Sequence, residues 1–317
     1  MKNIRYIDKK DVENLIENKT SDDVIIFLSG PTSQKTPLSV LRTKDIIAVN
    51  GSAQYLLSNN IVPFIYVLTD VLTDVRFLHQ RRDDFYKFSQ RSRYTIVNVD
   101  VYEHASKEDK LYILQNCLVL RSFYRREKGG FIKKIKFNIL RQIHKELLIS
   151  VPLSKKGRLV GFCKDISLGY CSCHTIAFAA IQIAYSLKYA RIICSGLDLT
   201  GSCSRFYDEN KNPMPSELSR DLFKILPFFR FMHDNVKDIN IYNLSDDTAI
   251  SYDVIPFIKL QDISAEESKD MTRKKCNIEL QPILMLINHP ETKIIWYKNA
   301  LRNFSQKEKI LYKQNQD

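Results

Sequence analysis

The sequence predicts an α/β fold: a parallel sheet flanked by helices. Three observations carry it. Short apolar runs recur along the chain with helical patterns between several of them. The segment Thr175–Leu187 is rich in alanine and apolar all round, and the run Ala190–Cys194 follows it almost at once. A helix of that kind packs on a sheet, and the strand after it is central. Finally, the apolar run Val24–Leu28 empties into Ser-Gly-Pro-Thr-Ser, a strand ending in a tight polar turn.

Taken in order, a polar helix is expected near Asp11–Asn18. Strands follow at Val24–Leu28, Asp45–Val49, Phe64–Leu68, Tyr94–Val99, Cys117–Leu120, Ala190–Cys194 and Ile239–Asn243. Residues 121–165 read as a basic helical insertion or lid. Within it Phe131–Ile149 has helical spacing: Ile132, Ile135, Ile139, Ile143 and Leu147 form one stripe, and Lys133, Lys134, Lys136, Arg141 and Lys145 project elsewhere. Such a helix suits an anionic bilayer or packing on the protein's own core. Residues 1–260 read as one domain and 261–317 as a polar, basic tail. The Leu-Thr-Asp-Val run repeats in tandem at Val67–Val75 and reads as a duplication tolerated in a loop.

The 317 residues carry a formal net charge of +12, which favours a polyanionic partner such as phosphorylated glycolipid, nucleic acid or an anionic membrane surface. The aromatics do not interleave with the basic run as a stacking platform would, so nucleic acid is not the expected partner. No apolar run reaches the roughly 18 residues of a membrane span, and the N-terminus has no secretory signal pattern. The seven cysteines lack paired zinc spacing and read as reduced thiols of a cytosolic protein.

The candidate chemistry gathers where strands end. Gly30, Pro31, Thr32 and Ser33 form a turn that suits a nucleotide, though a plain turn has the same composition; it is neither a dinucleotide fingerprint nor a Walker A loop. Asn50 follows the second strand, and Asp70 follows the third, or Asp74 if the second Leu-Thr-Asp copy is in register. Ser172 and Thr175 stand at a helix start, fit for phosphate or for simple capping. His174 beside them is a base, a phosphate donor or a bystander. Ser195, Gly196 and Asp198 end the central strand, and Arg205 lies in the loop beyond. No His, Cys or carboxylate set has metal-ligand spacing, so no metal is expected.

The runs "FLSGPTSQKTPLSVLRTKDIIAVNGSAQYLL", "RSFYRREKGGF", "GYCSCHTIAF", "CSGLDLTGSC" and "NLSDDTAISYDVIP" resemble the WaaZ (RfaZ) family of lipopolysaccharide core biosynthesis proteins across Met1–Phe257. The resemblance implies addition of a third Kdo (3-deoxy-D-manno-octulosonic acid) to the inner core, with CMP-Kdo as donor, no further cofactor and Kdo-containing lipid A core as acceptor. It also implies a cytoplasmic protein, peripheral to the inner membrane. The tail and the doubled Leu-Thr-Asp-Val fall outside the family pattern. The alternatives are a non-catalytic transferase-like protein that steers core assembly, or a glycosyltransferase using another donor.

A more distant likeness is to bacterial CMP-sialic-acid-dependent sialyltransferases, and it implies a GT-A-like fold. Carried over, Gly30, Pro31 and Thr32 lie near the CMP phosphate and ribose, and Asn50 near the cytidine or phosphate. Asp70 or Asp74 stands where that family has a second asparagine, and Ser195, Gly196 and Asp198 match its Ser-Gly-Ile-Asp strand end. That family stabilises the leaving phosphate with tyrosines; Thr200 and Arg205 occupy the comparable places here. Its downstream histidine is missing, with only Glu217 and Asp221 in that stretch. The base is left open among His174, Glu217 and Asp221.

Overall fold

In the computed structural model, residues 4–69, 81–123, 131–152, 158–200, 205–206 and 218–263 are described. Seven strands form one sheet: β1 Asp23–Phe27, β2 Asp45–Val49, β3 Ile65–Leu68, β4 Tyr94–Asn98, β5 Leu118–Leu120, β8 Arg191–Ser195 and β9 Ile241–Asn243. Their order is β5-β4-β3-β2-β1-β8-β9, and every pair is parallel. All seven expected strands are present, with ends moved by two residues at most. The apolar, β-branched runs of β1 and β2 are buried at every position, as strands covered on both faces must be.

This order locates the switch point of the sheet. The chain winds outward from β1 to β5, then returns to lay β8 on the other side of β1. The crevice outside the carboxyl ends of β1 and β8 is therefore the topological switch point, where open α/β sheets take their ligands.

The helix Ile176–Ser186 has nine buried residues out of eleven and packs against β1, β2 and β8. Ala190 N–H donates to Asp22 O at 2.7 Å just before Arg191 pairs with Asp23, which puts the end of this helix at the amino edge of the sheet. Its start at Thr175 therefore lies at the carboxyl edge. Gln182, fully buried within it, uses its whole amide: Oε1 accepts from Cys163 N and Cys171 N, both at 2.9 Å, and Nε2 donates to Cys171 O and Phe178 O. The segment Gly169–Thr175 is thereby tied to the helix it leads into.

The basic insertion departs from its expected form. Its helix is Phe131–Ile143 rather than Phe131–Ile149, and the last residues of that span belong to β6, Leu147–Ser150. β6 pairs antiparallel with β7, Val160–Cys163, in a two-stranded sheet that the sequence reading missed. Helical spacing continued to Leu147 because a side chain four residues after Ile143 fits either period; Leu147 in fact faces Phe137 from the hairpin. Lys134 also departs from expectation, being buried rather than projecting. The side chains of Ile132 and Lys133 lie outside the described residues. One face of the hairpin takes Phe137, and the other joins the main core through Phe162, against the helix Leu218–Asn235.

The contacts divide the chain into Met1–Leu260 and Gln261–Asp317. The tail from residue 264 and most of the doubled Leu-Thr-Asp-Val, with Asp70 and Asp74, lie outside the described residues.

Candidate active site

At the switch point two loops meet without side chains between them. A Cβ on Gly30 would lie 2.3 Å from Gly196 O and 2.6 Å from Asp198 Oδ2, a contact no real side chain makes. Gly196 itself has φ +78°, in the left-handed region that glycine enters without penalty. Leu28 N–H donates to Ser195 O at 2.9 Å, carrying the β1–β8 pairing up to the turn.

The hydroxyls of this turn are engaged within the protein. Asp198 accepts from Thr32 N–H at 3.0 Å, from Thr32 Oγ1 and from Ser245 Oγ at 2.5 Å. Ser33 Oγ donates to Gly30 O at 2.7 Å, and Ser195 Oγ is 2.8 Å from Thr36 Oγ1. Thr32, Ser33, Ser195 and Asp198 thus clamp the turn, while Pro31 opens a short 3-10 helix, Pro31–Lys35, and is exposed. Ser245, from the Ser-Asp-Asp run after β9, completes the clamp. In the sequence that run carries no metal-like pattern, and nothing but its place after a strand marks the serine.

Next along the edge, Asn50 is buried with φ +47°, which its short amide tolerates. Its Oδ1 has no hydrogen-bond partner among the described residues, and neither does Thr69 Oγ1 at the end of β3. An unmatched buried polar atom costs roughly 1–3 kcal/mol, and two of them stand here on adjacent strand ends. Around Thr69 the framework is tight: Asn98 Nδ2 donates to Thr69 O at 3.0 Å and to Tyr170 Oη at 2.9 Å, and Tyr170 Oη donates to Thr69 O at 2.9 Å. Thr69, Asn98 and Tyr170 were not among the sequence candidates, since each reads as an ordinary strand-end or core residue.

Beyond Tyr170 come the helix-start residues. Thr175 is the N-cap, its hydroxyl accepting from Ala177 N–H at 3.3 Å; Ser172 is buried nearby in sequence. His174 Nδ1 lies 2.6 Å from Asp221 Oδ2, on the helix Leu218–Asn235, and Lys224 donates to Asp221 Oδ1. Burial pushes the Asp221 carboxyl up, but hydrogen bonds from Lys224 and His174 outweigh it and hold the group below the ordinary carboxylate range. With Asp221 ionised, His174 Nδ1–H is the donor of this bond. Glu217 lies outside the described residues.

Arg205 is placed by its neighbour. Phe206 N–H donates to Ser29 O at 3.0 Å, and the Phe206 ring packs edge-on against Phe27 and Tyr55 at 5.9 and 5.7 Å. The backbone at Arg205–Phe206 is thereby held next to Ser29, which precedes the Gly30 turn. Among the described residues no group of three or more His, Cys, Asp or Glu is placed to hold a metal ion.

The family model of the 3-deoxy-D-manno-octulosonic acid transferase WaaZ matches residues 6–261. The chain belongs to the WaaZ family. It is 98% identical over 275 residues to a "Probable 3-deoxy-manno-octulosonic acid transferase" of Escherichia coli (strain K12), covering 87% of this chain and 96% of that protein. A protein with the same description from Salmonella typhimurium is 70% identical over 266 residues, covering 84% and 97%. Membership makes the chain a glycosyltransferase of lipopolysaccharide core biosynthesis that transfers Kdo. Among solved structures it is similar to the sialyltransferase CstII from Campylobacter jejuni in complex with CMP-3FNeuAc, with a TM-score of 0.41 and 16% identity over 75% of this chain and 86% of that one. It is also similar to the MAf glycosyltransferase from Magnetospirillum magneticum AMB-1, with a TM-score of 0.40 and 15% identity over 84% and 42%. At these scores neither transfers a residue role to this family member.

Proposed function

We propose that the chain transfers one Kdo from CMP-Kdo to a Kdo-bearing lipid A core at the cytoplasmic face of the inner membrane, with His174 as the general base. The observation that carries this reading is the pairing of His174 Nδ1 with Asp221 at 2.6 Å, which fixes one tautomer and orients the ring. CMP lies across the switch point, its nucleoside answering Asn50 Oδ1 and Thr69 Oγ1 and its phosphate beside Arg205 and the helix start at Ser172–Thr175.

In the reaction an acceptor hydroxyl gives its proton to His174 Nε2 while its oxygen bonds the anomeric carbon of Kdo. The bond from that carbon to the phosphate oxygen breaks, and CMP leaves with the electron pair. The leaving group carries a single phosphate, so one guanidinium and the free amides of a helix start can meet its charge without a metal. The membrane location is supported by the lipid-linked acceptor and the net charge of +12. Among the described residues no helix is long and apolar enough to cross a membrane.

The test is transfer from CMP-Kdo, generated in situ, to purified Kdo-containing lipid A core, read by mass spectrometry with and without EDTA. A gain of one Kdo in both arms is expected. Gain only without EDTA overturns the metal-free reading, and no gain with CMP still bound overturns the acceptor.

A further inference from the structure

The helix Phe131–Ile143 has two apolar faces, and the protein covers one. Phe137 and Leu140 pack on the β6–β7 hairpin with Leu147 and Ile149. At 100° per residue, Ile135, Ile139 and Ile143 form a row centred about 180° from Phe137. They are 45%, 51% and 65% exposed. The row runs roughly 12 Å along the helix. Lys136 flanks it, and Lys145, in the turn just past Ile143, is exposed as well.

We propose that this row is a membrane-docking surface: the three isoleucines enter the headgroup–acyl boundary of an anionic bilayer while Lys136 and Lys145 meet lipid phosphates. Exposed isoleucines in a straight row with cations beside them make the two-sided surface an interfacial helix needs. A second copy of the chain fits worse, because two chains that each carry a net charge of +12 repel one another, whereas an anionic bilayer attracts them. The hairpin stands between this helix and the main core, so docking leaves the sheet edge undisturbed. The inference deepens the membrane reading above by naming the surface that makes the contact.

The test is co-sedimentation of the full chain with phosphatidylglycerol-containing and pure phosphatidylcholine vesicles, with no donor or acceptor present. Its outcome is therefore independent of whether Kdo is transferred. The chain is expected to bind the anionic vesicles selectively. Ile135→Ser/Ile139→Ser/Ile143→Ser should lower the partition at least about tenfold, with circular dichroism and CMP affinity unchanged. Lys136→Glu/Lys145→Glu, which keeps the apolar row, should lower it severalfold and weaken its salt dependence. Anionic-vesicle binding that survives the triple substitution overturns the proposal. So does a wild-type chain that ignores vesicles and forms a dimer that the triple substitution dissolves.

Discussion

His174 and Asp221, 47 residues apart in sequence, meet at 2.6 Å between the approach to one helix and the first turn of another. Neither residue type at that separation signals a pair, yet together they make an oriented imidazole. His174→Ala should lower kcat roughly 100- to 10,000-fold while CMP affinity holds. Asp221→Asn should lower it less, about 10- to 100-fold. Removing an anion beside the ring also moves the acid limb of the kcat/KM profile to lower pH. A helix-packing role alone would change stability without moving that limb.

The contact of Gly30 with Gly196 O leaves no room for a methyl group. Gly30→Ala should cost about 2–3 kcal/mol, because the obstacles are backbone and a clamped carboxylate rather than a movable side-chain tip. Chemical denaturation reads the loss, and calorimetry with CMP should show weakened binding where the variant still folds.

Asn50 separates a ligand role from a backbone role. Its Oδ1 is unmatched and its φ is positive, so two substitutions pull the two apart. Asn50→Gly and Asn50→Ala should both weaken CMP, by about 1 kcal/mol or a factor of about five. Glycine keeps the left-handed turn and should hold its Tm, whereas alanine should lower it. Equal CMP affinity in all three proteins would remove Asn50 from the site.

All seven strands of the sheet were legible because each is a short apolar run bounded by turn residues. The edge proposed to bind CMP is where those runs end. What the sequence could not show was the traffic between distant residues. Asp198 looks like a ligand group at a strand end, but Thr32 and Ser245 occupy its carboxylate from segments 166 and 47 residues away. Gln182 hides among alanines, and three of its four bonds exist only once β7 and Cys171 come alongside. The β6–β7 hairpin escaped because Leu147 continues a helical stripe that the chain abandons at Ile143.

Cysteine chemistry should be silent in the folded core. Burial pushes the thiols of Cys117, Cys163 and Cys194 up to about 12, so almost no thiolate forms at neutral pH. Alkylation at pH 8 followed by peptide mapping should leave these three unmodified until denaturant is added. Labelling of Cys194, fully buried on β8, in native protein would contradict that.

At the opposite edge of the sheet Asp23 accepts from Arg191 at 2.9 and 2.6 Å and from Lys44 at 2.8 Å, all three side chains being nearly buried. Burial alone would raise the Asp23 carboxyl, but the Arg191 and Lys44 hydrogen bonds prevail and hold it below its ordinary value. Because the folded-state pKa is the lower one, the stabilisation is complete above the unfolded pKa of about 3.9 and disappears as pH falls through the folded value. Asp23→Asn strands two buried cations and should cost roughly 3 kcal/mol at pH 7. The gap between variant and wild type should shrink as the pH is lowered below 4, since the wild type then loses the same charge. Denaturation midpoints from pH 7 to pH 3 measure it, and a gap that stays constant would mean that Asp23 holds β1 to β8 by shape rather than by charge.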